Sequence, residues 1–151
     1  MKEIPIQDLK PGLVSGLSVA MPGDSPYGEA YFEWTAAPLT TTFRTKEISG
    51  GTLKAWKSLP SFSQVETHVD AEMFFFLEGT ALMLFADVRG GKPDPESLQI
   101  VRIPAGTRVI IPQGKAHFVP VAQDDTPVSI VVVAPKMEAP RMGLQETVVG
   151  V

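Results

Sequence analysis

A chain of 151 residues with 13 Lys and Arg against 17 Asp and Glu carries a net charge of −4 and contains no cysteine. Disulfides, zinc-thiolate sites and thiol nucleophiles are excluded, and an acidic balance without a Lys/Arg cluster argues against a nucleic-acid or anionic-membrane partner. The length predicts one domain over residues 1–151, large enough to enclose an apolar core without staples.

The N-terminus, Met-Lys-Glu-Ile-Pro-Ile, lacks the apolar stretch of a secretory signal, and the longest apolar run, residues 129–135, is too short to span a bilayer. A cytoplasmic protein is the expectation. Fourteen prolines and 13 glycines punctuate short segments rich in β-branched and aromatic residues, the rhythm of an all-β domain. In chain order the predicted strands are 29–34, 40–45, 51–56, 64–68, 73–77, 80–87, 98–103, 108–111, 116–121 and 128–134. Phe74-Phe75-Phe76-Leu77 and Ile130-Val131-Val132-Val133 are continuous apolar runs too short for helices, as expected of strands buried on both faces or at a subunit contact. The breaker cluster Gly90-Gly91-Lys92-Pro93-Asp94-Pro95 is expected to be a loop between two halves, each holding one histidine. So many short strands suggest a sandwich or a barrel, whose mouth can gather a few polar side chains.

The two histidines sit in distinctive company. Glu66 and His68 lie two apart on a predicted strand, so their side chains share a face. If Val69-Asp70-Ala71 is a turn, with Asp70 exposed in it, Glu72 falls at the start of the neighbouring strand. His117 follows Pro112-Gln113-Gly114, a tight turn that folds the next strand back into the barrel. Interior carboxylates are costly unless a cation or a hydrogen-bond network answers them. Two imidazoles and two carboxylates suit a divalent Fe, Mn, Ni, Co or Zn ion, whereas calcium prefers oxygen alone. Four protein ligands on an octahedral ion leave two positions for water, O2 or a chelating substrate. Alternatively Glu66 is a solvated residue or a salt-bridge partner of Lys54 or Arg44. Arg44, Lys54, Arg102, Arg108 and Lys115 are candidates for binding a substrate carboxylate. Arg44 and Lys54 sit at alternating positions that can face the interior, and Glu66, Arg44 and Lys54 are the candidates for a catalytic group.

At these residues the chain resembles the cupin superfamily. The second cupin motif, G-x5-P-x-G-x2-H-x3-N, is matched by Gly106, Pro112, Gly114 and His117, with Val121 in the place of the Asn. The first, G-x5-H-x-H-x3-4-E-x6-G, is matched by His68, Glu72 and Gly79, with Glu66 in the place of the first His and Pro60 in that of the opening Gly. The resemblance covers residues 50–135 and implies a double-stranded β-helix, or jelly-roll barrel, with extra N-terminal strands. It implies metal-ligand positions at Glu66, His68, Glu72 and His117. The terminal extensions, including segments 29–34 and 145–149, would suit strands added to a sheet edge, and cupins commonly dimerise through such additions, so a homodimer is implied. The passage from Gly91 through Ser97-Leu98 to Ile103-Pro104-Ala105-Gly106, with Gly114-Lys115-Ala116-His117 and Val131 to Pro135, looks like the ureidoglycolate lyase branch of cupin-like proteins. Ala116 and Phe118 flank His117 where that branch has a further His. The resulting expectation is a metal-dependent lyase or hydrolase acting on a small carboxylate-bearing molecule. An Fe(II) dioxygenase and a non-enzymatic ligand-binding module are the alternatives.

Overall fold

The computed structural model describes residues 1–23, 26–35 and 39–151. Among them there is no helix, and the strands in chain order are β1 (Lys2–Ile4), β2 (Ile6–Asp8), β3 (Ser18–Ala20), β4 (Pro26–Glu29), β5 (Phe32–Thr35), β6 (Ile48–Ala55), β7 (Ser61–Glu66), β8 (Glu72–Glu78), β9 (Ala81–Ala86), β10 (Val88–Arg89), β11 (Lys92–Pro93), β12 (Gln99–Ile103), β13 (Arg108–Ile111), β14 (Ala116–His117), β15 (Val121–Ala122), β16 (Val128–Pro135) and β17 (Arg141–Gly150). Eight strands form one sheet in the order β1-β17-β7-β14-β9-β12-β2, with β15 beside β9; five form a second in the order β3-β13-β8-β16-β6. This is the expected jelly-roll barrel with additional N-terminal strands.

Strand β9 explains how the layers are held together. Ala81, Met83 and Phe85 enter the core between the two sheets, where they meet Phe74, Phe76, Val109, Ile111 and Ile130. Leu84 and Ala86 point the other way, into a second apolar cluster with Ile4, Phe62, Val65, Ile100 and Val148. Both faces of β9 are therefore covered, and every residue of it is buried. The runs in β8 and β16 are buried on one face instead: Phe74, Phe76 and Ile130 are inside, while Phe75 and Val131 are half-buried and Leu77 is 62% exposed.

The N-terminal strands close the larger sheet. β1 runs parallel to β17, with Lys2 beside Val148, and β2 runs parallel to β12, with Ile6 beside Ile100. One short segment thus touches both edges of the sheet, and Pro5 stands between its halves, where a residue without an N–H leaves no ladder donor unpaired. The Ile6 N–H donates to the carbonyl of Val151 at 2.9 Å, and an ion pair between Arg102 and Asp8 at 2.6 Å ties down the far end.

Several segments depart from the sequence expectation. Residues 40–45 form no strand, because the N–H groups of Arg44 and Thr45 donate to Asp70 Oδ2 at 2.8 and 3.3 Å rather than to a ladder. Asp70 is accordingly not in an exposed turn: it is 5% exposed, and its Oδ1 accepts from the Ala71 N–H at 2.8 Å. Residues 29–34 are split between the two strands of the β4–β5 hairpin. The expected 116–121 strand is interrupted into β14 and β15 around Pro120. The cluster at 90–95 contains a tight hairpin turn, in which Gly90 and Gly91 both take positive φ, 59° and 75°, between β10 and β11, a conformation whose twist matches the flanking strands.

Candidate metal centre

The four residues singled out by spacing converge where the chain crosses from one sheet to the other. Glu66 ends β7 and stands directly opposite His117 of β14 in the larger sheet, so their side chains share a face. Glu72 opens β8 in the smaller sheet, opposite Ile111. His68 lies in the connection between them, just beyond the end of β7 rather than within it. The second motif's turn steadies that connection: Gly114, at φ 77°, donates its N–H to the carbonyl of His68 at 3.0 Å.

Glu66, His68 and His117 each offer one ligand atom, all within 4.8 Å of one another. Glu72 contributes from the opposite sheet, its Oε1 lying 3.0 Å from the Nε2 atoms of both His68 and His117. Glu66 Oε1 stands further off, 3.7 Å from His68 Nε2 and 3.9 Å from His117 Nε2. Atoms bound to one first-row ion at about 2.0–2.2 Å stand roughly 3 Å apart at adjacent corners of an octahedron. The imidazole and Glu72 spacings fit that arrangement.

Ring orientation is set from behind. His68 Nδ1 is 3.0 Å from the carbonyl of Glu138, and His117 Nδ1 is 3.0 Å from that of Lys115. A carbonyl can only accept, so each Nδ1 carries the proton and donates it, which turns Nε2 toward the centre as the atom free to bind. His68 Nε2, His117 Nε2 and Glu72 Oε1 are all buried, and despite their proximity none finds a partner in hydrogen-bonding geometry. With neither a proton nor a cation between them, each such buried atom would cost about 1–3 kcal/mol. Three together, aimed at one point, are what a cation would satisfy.

Proton equilibria agree with this. The nearby carboxylate of Glu66, then that of Glu72, pushes His68 from 6.5 up to about 10 against the opposing effect of burial. Burial pushes the Glu72 carboxyl upward, but His117 and His68 together outweigh it and hold the group at about 2. In the absence of an ion, a proton on His68 answers the acids; a dication would take its place. The rings of Phe74 and Phe85, with centroids 6.3 and 6.4 Å from that of His117, wall the centre on its apolar side.

The candidate substrate-binding cations lie elsewhere. Lys54 is exposed on β6, next in sequence to Leu53, which packs against the core. Arg102 is paired with Asp8, Lys115 is buried against Asp87 at 2.6 Å, and Arg108 Nη1 donates to the carbonyls of Met21 and Gly106. Arg44 is exposed at the rim of a cleft of about 470 Å³, with Thr45, Val69, Asp70, Pro135, Lys136 and Met137. A second cleft of about 270 Å³ shares Pro135, Lys136 and Met137 and reaches Glu72. Lys136 is thus a cation at the mouth that sequence reasoning missed. It follows β16 directly, outside any motif or periodic pattern, so its position shows only in the tertiary structure.

No family model matches the chain, and no curated protein matches it in sequence. Solved structures do. A dTDP-6-deoxy-D-glucose-3,5-epimerase from Legionella pneumophila, in complex with dTDP-4-keto-L-rhamnose, superposes with a TM-score of 0.53 at 14% identity, covering 88% of this chain and 72% of that one. An epimerase from Streptococcus suis in complex with dTDP-D-xylose gives 0.47 at 13%, covering 87% and 71%. An 11S globulin from Wrightia tinctoria gives 0.45 at 10%, covering 62% of this chain, which spans only 22% of the globulin. The likeness is one of fold: the chain has the cupin jelly roll. None of these neighbours supports the narrower resemblance to the ureidoglycolate lyase branch.

Proposed function

We propose that this chain is a single-domain, metal-dependent cupin enzyme. Glu66, His68, Glu72 and His117 would hold a divalent Fe, Mn, Ni, Co or Zn ion, and the substrate is a small carboxylate-bearing molecule processed by lyase or hydrolase chemistry. The observation that carries this reading is the convergence of three buried atoms without hydrogen-bond partners, one from each sheet and one from the connection between them. A bound ion supplies Lewis acidity to a coordinated carbonyl or hydroxyl. The chain's own residues fix the imidazoles through the Glu138 and Lys115 carbonyls and exclude water on the side of Phe74 and Phe85. Two carboxylates and two neutral imidazoles cancel a dication's charge, which also suits Fe(II) and O2, so an oxygenase is the second reading. A barrel that only holds a ligand is the third, and it leaves the buried acids less well explained.

Metal analysis of protein purified without chelator, beside His68→Ala and His117→Ala, tests the centre. Stoichiometric ion in the wild type and loss in both variants is expected; equal content in all three sinks the ligand assignment. Oxygen uptake with candidate acids then separates oxygenase from lyase, and sugar nucleotides belong in the same panel because the Legionella epimerase was solved with one.

We also propose a homodimer, supported by the half-exposed outer face around Phe75, Leu77 and Val131 rather than by exchange of terminal strands, since β1 and β17 pair within the chain. Solution mass decides it, and a monodisperse monomer removes it. No helix among the described residues is long and apolar enough to cross a membrane.

A further inference from the structure

We infer that Arg44 and Lys136 form a pair at the mouth of the barrel that reads a second carboxylate on the substrate, one remote from the metal. This rests on the metal reading above. Both side chains line one cleft, and Lys136 also lines the cleft that reaches Glu72, so a molecule extending from the ion toward solvent passes between them.

Arg44 and Lys136 belong to the cations of the described residues with no ionic partner, and of those they are the two that line this cleft. Lys57, Arg89, Arg102 and Lys115 each face a carboxylate, of Asp125, Asp94, Asp8 and Asp87 respectively. Among the described residues, no carboxylate answers Arg44 or Lys136; the Arg44 guanidinium has only the Val69 carbonyl, at 3.4 Å. The one acid lining their cleft, Asp70, is already engaged by the N–H groups of Arg44, Thr45 and Ala71. Its effect is to fix the Arg44 backbone at the rim, not to neutralise the side chain.

Charge balance gives the pair its task. A dication held by two carboxylates is neutral overall, so the centre has no net charge with which to attract an anion. Two unpaired cations at the entrance would steer an anion and orient it. The substrate class that fits both ends is a small hydroxy- or keto-acid with a second carboxylate: the oxygenated end chelates the ion, and the far carboxylate meets Arg44 and Lys136.

The test compares malate, which has both ends, with glycolate, which has only the chelating one, by calorimetric titration of metal-loaded protein. Wild type should prefer malate, and the preference should shrink with added salt. In the double variant Arg44→Ala, Lys136→Ala the malate-to-glycolate affinity ratio should fall by about tenfold, the scale of one charge-assisted hydrogen bond. Glycolate binding should weaken less than malate binding, metal content should stay unchanged, and Lys136→Glu should lower the ratio further. A ratio that does not move while the ion remains bound, or no preference for malate in wild type, overturns the inference and leaves the metal reading standing. Absence of bound ion in wild type overturns both.

Discussion

His117 Nε2 and Glu72 Oε1 lie 3.0 Å apart although they belong to different sheets. An ion bound between them would cross-link the two layers of the barrel at the corner where the chain passes from β7 to β8. Removing it with a chelator should lower Tm by several degrees, and re-adding it should restore Tm, because a ligand bound only by the folded state stabilises by about 2.7 kcal/mol when present at roughly 100 times its dissociation constant. Thermal melts with and without chelator check this, and His117→Ala should melt at the same temperature in both.

Glu66 is the ligand position most distant from the imidazole nitrogens, at 3.7 and 3.9 Å. Substituting Glu66→Gln removes a charge but keeps an oxygen, and should weaken ion binding by about tenfold, the scale of one charge-assisted contact. Glu66→His should retain the ion while changing which metal is preferred, since it exchanges a hard oxygen donor for imidazole. Competition among Mn(II), Ni(II) and Zn(II) measures both effects.

The pH dependence of the ion-free protein follows from two opposite shifts. His68 is raised from 6.5 to about 10, so its contribution to stability is fully present below pH 6.5 and is lost as pH climbs toward 10. Glu72 is lowered from 4.5 to about 2, so its contribution is present above pH 4.5 and is lost as pH falls toward 2. Stability from this pair should therefore peak between pH 4.5 and 6.5. Because the ion displaces a proton from folded His68, its binding should tighten as pH rises toward 10. Melting curves across this range, with and without metal, should show the two forms diverging as pH rises.

Much of the site was legible because motif spacing is local. A two-residue spacing keeps Glu66 near His68 even though β7 ends at Glu66, and the Pro112–Gly114 turn delivers His117, so the four positions could be found without knowing which sheets they occupy. What stayed hidden depends on distant partners. β1 and β2 are three residues each, too short to show a period, and they exist only because β17 and β12 offer ladders. The acceptors of the imidazole Nδ1 protons are main-chain carbonyls, which leave no mark in the residue types of Glu138 or Lys115. Residues 40–45 have the composition of a strand, but the buried carboxylate of Asp70 captures their backbone.

That capture can be measured. Asp70→Ala removes the acceptor for three N–H groups at once and should cost about 2–3 kcal/mol, in line with hydrogen bonds to a buried charged group. Hydrogen exchange should accelerate at Arg44 and Thr45 while remaining slow in β9, and denaturant melts give the magnitude. Unchanged protection at Arg44 would mean that another contact holds the segment.

The parallel pairing of β1 with β17 brings Ile4 and Val151 into hydrogen-bonding contact at 3.0 Å. Met1 lies back beside Glu146, its amino group 2.8 Å from that carboxylate, so a peptide joining residue 151 to residue 1 must run back the length of β1, roughly 13 Å at about 3.3 Å per residue. A new opening between Gly90 and Gly91 would sever only the β10–β11 turn. In such a rearranged chain the His117 stretch would be read before the His68 stretch, yet both would occupy the same places in space. The centre depends on which strands are neighbours and is indifferent to the order in which they are synthesised.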